Sequence, residues 1–301
     1  MKISLDWLGC ATFRLTIDDT VVFLDTYMDR VPSAPPVGLT TGEVSKADFI
    51  LVGHSHFDHI AGAEVIARDT GARVIGSHES CRVLKERDVA EGQLNPAQGG
   101  ERFRLTSDVT VRVLPSLHSC IWAPASARAD GERVGHLGLC EDEKAAVRGS
   151  LPARGGDGEP SQAVREMREH LAGATGSRHI GGALAYLVET PIGSIFYQDT
   201  SGCWTGILRD LRPTVAILAA AGRGNIDAEP IQGTLAQFVG LEAELLKPQT
   251  IVLGHHDNWM PPTTQEGGTD LTPIREELAR RAPTAKLIEP SYLEGTVILQ
   301  G

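Results

Sequence analysis

Six consecutive residues concentrate the chemistry of this chain: His54-Ser55-His56-Phe57-Asp58-His59. Three imidazoles and one carboxylate follow directly on the apolar run Phe49-Ile50-Leu51-Val52-Gly53. Imidazole nitrogen and carboxylate oxygen are donors that zinc accepts. A core strand seldom ends in so many donors without something to bind. Positions two apart in an extended segment face the same way, so His54, His56 and Asp58 are expected to converge. His59 is expected to open the next helix and point elsewhere. One segment can thereby feed two metal positions.

Four further donors fall where predicted strands end. His118 stands in Ser116-Leu117-His118-Ser119, and Asp199 in Phe196-Tyr197-Gln198-Asp199-Thr200. His255 stands in Leu253-Gly254-His255-His256-Asp257, and Asp25 closes Val21-Val22-Phe23-Leu24. Strand ends along one edge of a layered sheet are rigid places to build a site. Residue types alone leave His255 and His256 as alternatives for one ligand. Trp122 and Trp259 flank ligand segments and are candidate pocket walls. Arg223 is a candidate cation for an anionic substrate. His78, His136, His170 and His179 are read as non-ligands, with His170 solvated on a helix. Cys10 is read as an ordinary strand residue and Cys203 as a structural thiol.

The elements that must carry these donors follow from periodicity. Short β-rich runs at 2–7, 11–17 and 20–25 precede a Pro/Gly loop from Pro32 to Thr41. A continuous apolar strand is predicted at 48–53, a helix at 60–69, a strand at 73–76, a helix near 79–88 and a strand at 109–114. From Ser119 to about His179 the strand pattern lapses. Gly155-Gly156-Asp157-Gly158 is a loop signal there, and a helix is predicted over 160–172. A loop this long in a compact domain is usually functional or disordered, so 119–180 is read as an insertion that covers the site. Strands resume at 183–189, 194–198, 214–219 and 250–253, with helices at 231–246 and 271–281. Strands near 286–288 and 294–299 complete the pattern. Strand and helix alternate in both halves, which predicts an α/β fold of two sheets covered by helices.

Bulk properties limit the partners. The chain has 301 residues, 41% hydrophobic and 22% charged, which is ordinary for a globular protein. Its net charge of −11 repels phosphate backbones, so no nucleic-acid partner is expected. Five cysteines without a C-x-x-C pair fit reduced thiols and a cytoplasmic location. No apolar run approaches the roughly 20 residues of a spanning helix, and no membrane partner is expected. A homo-oligomer is compatible with all of this.

In its motifs the chain resembles the metallo-β-lactamase superfamily. The H-x-H-x-D-H motif stands as His54, His56, Asp58 and His59, and the later His, Asp and His come in the superfamily's order. The look is closest to the branch of ascorbate-phosphate lactonases and phosphodiesterase-like relatives, through His118-Ser119, Asp199-Thr200 and His255-His256-Asp257. The resemblance covers nearly the whole chain except about 119–180. It implies one domain over 1–301 with a four-layer αββα sandwich, two mixed β-sheets flanked by helices. It implies two divalent ions, zinc first, with manganese or iron also admitted by these donors. His54, His56 and His118 would hold the first ion, and Asp58, His59 and His255 the second. Asp199 would bridge them, and Asp25 would orient a ligand imidazole. The family pattern favours His255 over His256 as ligand. Asp58 and His256 then carry the catalytic roles, His256 as a substrate contact or proton donor, and Trp259 lies beside the substrate.

The activity so implied is hydrolysis of a small-molecule lactone, ester or amide by a hydroxide formed at neutral pH. A phosphodiesterase would use the same site but wants more cations near it than this sequence offers. A nuclease fits poorly with the acidic charge. From a different class, a non-catalytic metal-binding or sensing module would share the ligands and show no turnover.

Overall fold

The computed structural model describes residues 1–122, 139–150, 159–231 and 233–301. The N-terminal half runs β1 (Lys2–Trp7), β2 (Phe13–Ile17), β3 (Thr20–Leu24), β4 (Phe49–Leu51), α1 (Phe57–Ile60), α2 (Ala63–Thr70), β5 (Arg73–Ser77), α3 (His78–Lys85) and β6 (Leu94–Ala97). It continues with β7 (Arg102–Arg104), β8 (Thr110–Pro115), α4 (Glu141–Ser150) and α5 (Gln162–Gly173). Then come β9 (Leu184–Thr190), β10 (Gly193–Gln198), β11 (Gly202–Cys203), α6 (Thr205–Leu208), β12 (Val215–Ala219), β13 (Asn225–Ile226) and β14 (Glu229–Pro230). The chain closes with α7 (Leu235–Leu246), β15 (Thr250–Gly254), α8 (Thr272–Arg281), β16 (Lys286–Ile288) and β17 (Thr296–Gln300).

Two seven-stranded sheets result, in the orders β17-β1-β2-β3-β4-β5-β6 and β16-β15-β12-β10-β9-β8-β7. A small third sheet joins β11, β13 and β14. Both large sheets mix parallel and antiparallel pairs. The continuous apolar runs of the central strands are explained by burial on both faces. In β3, Val22 and Leu24 enter the cluster between the sheets, whereas Val21 and Phe23 meet α2 and α3 on the outside. In β12, Val215 and Ile217 face inward, and Ala216 and Leu218 meet α7 and α8. The layers are therefore helix, sheet, sheet, helix, the αββα sandwich expected from the sequence.

Details differ from the sequence reading. The helix expected at 60–69 is two helices, because Gly62 takes a left-handed φ of 98° at the N-cap of α2 and breaks the run. The helix expected at 231–246 begins at Leu235, where the Thr234 side chain accepts the Gln237 N–H and Gln237 returns the bond. α5 lies where predicted, capped by Ser161. The acidic helix α4, with Glu141, Asp142 and Glu143 in its first turn, was not foreseen. Nor were the short edge strands β6 and β7. Cys10 is not a strand residue; it sits in the turn between β1 and β2 with φ 47°. Gly155 to Gly158 and His136 lie outside the described residues.

The topology explains how one edge collects the donors. β3 and β4 run parallel, as do β10, β12 and β15, and β8 is parallel to β10 through the antiparallel β9. The residues that follow the C-terminal ends of these strands gather along one side, as in other open α/β sheets. The β1–β2 turn joins them, because Phe13 at the start of β2 pairs with Leu24 at the end of β3.

Candidate metal centre

The hexad changes conformation at His56. His56 is extended and is the N-cap of α1, so Asp58 and His59 lie in its first turn. This corrects the period-two alignment expected of His54, His56 and Asp58. It also corrects the expectation that His59 points away, since its ring centroid is 3.9 Å from that of His54.

The donors form overlapping groups, His54 with His56 and His118, His54 with His59 and Asp199, and Asp58 and His255 with a sulfur, that of Cys10. His54, His56 and His118 bring one ligand atom each to within 4.8 Å of one another. His54 Nε2 and His56 Nδ1 are 3.1 Å apart. The Nδ1–H of His118 donates to the Ser119 carbonyl at 2.9 Å, which leaves its Nε2 as the free lone pair. Asp58 Oδ2 lies 3.4 Å from His59 Nε2 and 3.7 Å from His255 Nε2. The Nδ1 of His255 donates to the Asp199 carbonyl at 3.1 Å, so its Nε2 is the free atom there. Asp199 stands between the groups: its Oδ2 is 2.6 Å from His54 Nδ1 and 3.2 Å from His59 Nδ1.

Asp25 supports the arrangement from beneath. Its Oδ2 accepts the His59 Nδ1–H at 2.7 Å, and its Oδ1 accepts the Gly53 N–H at 2.8 Å. The Tyr197 hydroxyl lies 2.7 Å from the same Oδ2. Asp25 thus fixes the tautomer that leaves His59 Nε2 available. Gly53 is required for a different reason: a Cβ there would fall 2.0 Å from Asp199 Oδ2. The backbone carries no side chain so that the carboxylate can rest against it.

Electrostatics follows from burial. His54, His56, His118 and His255 all have pKa values lowered, chiefly because burial disfavours the charged ring. They are therefore neutral lone-pair donors at neutral pH. Burial also opposes charge on His59, but Asp58, Asp25 and Asp199 outweigh it and raise its pKa well above the usual value. Burial pushes the Asp25 carboxyl up to about 6, with His59 pulling it back. Burial would raise Asp58 too, but the surrounding imidazoles, His59 first, hold it below the ordinary carboxylate range.

A metal fits this donor set. Among the described residues, Asp199 Oδ1 and His255 Nε2 are buried polar atoms without a hydrogen-bond partner. Native interiors seldom leave such atoms unsatisfied, and here they sit among further ligand-type atoms. A cleft of about 380 Å³ opens above them, lined by His56, Asp58, His59, His118, His255 and Trp259 among others. Arg148 of α4 also lines it, a cation the sequence reading did not single out.

Other expected residues are placed elsewhere. His256 stacks on Trp7 at 4.5 Å and is not among the cleft-lining residues. The substrate-contact or proton-donor role carried for it therefore has no geometric support. Arg223 donates to the Ile231 carbonyl and does not line the cleft. His170 is not simply solvated: its Nε2 is 3.0 Å from the Tyr27 hydroxyl. His78 and His179 are exposed, as non-ligands would be. Cys10, missed at the sequence level, brings its sulfur into a group with Asp58 and His255 within 4.8 Å.

Comparison with known proteins bears on the fold and on what the chain is similar to. Residues 20–149 match the Beta-lactamase superfamily domain. A metal-dependent hydrolase of Caldivirga maquilingensis is 36% identical over 115 residues, which are 38% of this chain and 48% of that protein. One of Anaeromyxobacter dehalogenans is 43% identical over 144 residues, 46% of this chain and 48% of that protein. The chain thus spans about half the length of the curated relatives it matches. Igni18, a metallo hydrolase of Ignicoccus hospitalis, superposes with a TM-score of 0.61 at 16% identity, covering 100% of this chain and 99% of that one. At that identity the likeness speaks for the metallo-β-lactamase fold alone. Among the described residues, no helix is long and apolar enough to cross a membrane.

Proposed function

We propose that the chain is a metal-dependent hydrolase that holds two divalent ions, zinc by preference, and acts on a small-molecule ester, lactone or amide. The observation that carries the reading is the convergence of His54, His56, Asp58, His59, His118, Asp199 and His255 under an open cleft, with Asp199 Oδ1 and His255 Nε2 buried and unpartnered. The curated relatives named above are themselves described as metal-dependent hydrolases.

His54, His56 and His118 would hold one ion and Asp58, His59 and His255 the other, with Asp199 shared between them. When bound, such ions supply an activated water at neutral pH and electrostatic stabilisation of a developing oxyanion. The chain's own residues do the remaining work. Asp25 holds His59 in the ligating tautomer, and the Asp199 carbonyl does the same for His255. Trp259, 5.4 Å from the His255 ring, gives the substrate an apolar wall. Thr263, Thr264 and Thr269 also line the cleft. Ile121 and Arg148 reach the cleft lining, and Met167 of α5 packs, with Phe57 and Trp259, against the cluster of Val31, Ala34 and Met260. Arg148 is the one Lys or Arg among the described lining residues, which suits a substrate bearing one carboxylate better than a phosphodiester backbone.

The test combines metal analysis of the purified chain with a hydrolysis panel of esters, lactones, amides and phosphodiesters. Two ions per chain and turnover on a carbonyl substrate are expected. A chain that takes up no divalent metal would overturn the reading, and full metal loading without turnover on any member would favour a binding or sensing module.

A further inference from the structure

The β1–β2 turn places a sulfur atom where the site reading above has only nitrogen and oxygen. Cys10 is fully buried, and its Sγ, a carboxylate oxygen of Asp58 and a ring nitrogen of His255 lie within 4.8 Å of one another. His255 is 8% exposed, and its Nε2 has no hydrogen-bond partner. That nitrogen is 3.7 Å from Asp58 Oδ2, so an unpartnered, buried donor is aimed into the space that Cys10 borders.

The backbone around Cys10 is held in a way that fixes where the sulfur goes. Gly9 and Cys10 both have positive φ, 77° and 47°, a conformation that L-residues adopt at a cost. Two contacts from the far sheet maintain it. The His255 N–H donates to the Cys10 carbonyl at 2.6 Å, and the Cys10 N–H donates to Asp257 Oδ1 at 3.0 Å. Asp257 is itself anchored by Arg30 at 2.6 Å. The indole N–H of Trp7 gives the same Cys10 carbonyl a second bond at 3.0 Å. Gly9 must lack a side chain here, since a Cβ would fall 1.6 Å from Arg30 Nη2. Residues far apart in the chain thus clamp one turn, and the clamped residue is the one with a thiol. Among the described residues the sulfur has one weak hydrogen-bond contact of its own, 3.5 Å from the Asp58 carbonyl oxygen.

We infer that Cys10 is a further metal ligand: its sulfur binds the ion held by Asp58 and His255. On binding, the S–H bond breaks, its proton passes to solvent, and a sulfur–metal bond forms. The inference rests on the metal-site reading above and deepens it. A thiolate is a softer donor than carboxylate or imidazole, so this position selects zinc or cobalt over manganese or magnesium. It also makes the two positions chemically unlike, three imidazoles on one side and a mixed sulfur, oxygen and nitrogen set on the other.

The experiment loads the full-length chain with Co²⁺ and records its absorption spectrum. A sulfur-to-cobalt charge-transfer band in the near ultraviolet is expected as the second equivalent binds. Cys10→Ser should abolish that band, keep the cobalt d–d bands, and weaken the second equivalent by at least ~10-fold, while Cys203→Ser leaves the spectrum unchanged. X-ray absorption at the zinc edge of the unmodified chain, which needs no variant, should show a sulfur shell at about 2.3 Å. Cobalt bound in two equivalents with neither the band nor the shell refutes sulfur ligation and leaves the metal site standing. A band that survives in the Cys10→Ser variant refutes the assignment to this residue. A chain that binds no cobalt overturns the metal-site reading and this inference together.

Discussion

Asp25→Asn is the substitution that separates holding a ligand from being one. The position has φ 53°, where asparagine is among the few residues tolerated, so the backbone is not strained by the change. The side chains are nearly equal in volume, and the site is completely buried. What changes is hydrogen bonding. The carboxylate accepts from Gly53 N–H on one oxygen and from His59 Nδ1–H on the other. An amide has one oxygen, so its NH₂ group must confront one of those donors. If it faces Gly53, a buried N–H loses its acceptor at a cost of about 1–3 kcal/mol. If it faces His59, the ring is driven to the other tautomer, and its Nε2 carries a proton where a lone pair is needed. Loss of such an outer partner costs roughly 10–100-fold in metal affinity, or about 1.4–2.8 kcal/mol. The effect should fall on the ion held by Asp58, His59 and His255 and spare the one held by His54, His56 and His118. Stepwise chelator competition measures both dissociation constants, and melting of the metal-free variant shows whether the fold survives. A folded variant that keeps both constants within two-fold of wild type refutes the orienting role of Asp25.

Gly53→Ala should dislodge Asp199, because the new Cβ lies 2.0 Å from its Oδ2 and contacts below 3.0 Å force a shift of roughly 1 Å; about 100-fold lower turnover on any substrate found in the panel is expected, with metal content measured alongside. Acidification should empty the two positions in order. His54, His56 and His118 are already neutral because burial lowers their pKa values, so their ion has no proton to displace near neutrality. His59 is held protonated against the burial penalty by Asp58, Asp25 and Asp199, so its ion must expel a proton below that raised pKa, and affinity there falls first as pH drops. Metal content after dialysis at stepped pH checks this, and loss of the three-histidine ion first would contradict it. Arg148→Ala should raise KM for an anionic substrate several-fold while leaving metal content and the KM of a neutral analogue unchanged; equal effects on both substrates would show that Arg148 contributes packing only.

Much of the architecture was legible because its strands are buried on both faces. Runs such as Val215–Ala219 and Ile251–Leu253 read as apolar without alternation, and the structure uses one set of side chains between the sheets and the other under helices. What was not legible were elements lacking that signature. β6 contains Pro96 and lies at a sheet edge, and β7 has only Phe103 between two exposed arginines. α4 opens with three acids and has no buried residue among those whose burial is described, so Arg148 could not be placed near the metal centre from sequence.

The site shows the same division more sharply. Donor types at strand ends were enough to nominate His118, Asp199 and His255, because the ends of parallel strands share an edge. The hexad's internal geometry was not readable, since it depends on where α1 begins: with His56 as its N-cap, Asp58 turns toward His59 and His255 and out of line with His54. Cys10 failed for a related reason. Sequence alone marks it as an ordinary strand residue, and only the pairing of Trp7 with Phe13 and of Phe13 with Leu24 puts that turn on the ligand edge. A thiol is neutral to sequence patterning, being equally at home in a core or on a metal. Its use is decided by the clamp from His255 and Asp257, residues some two hundred and fifty positions away, and that is information carried by sheet order and not by local spacing.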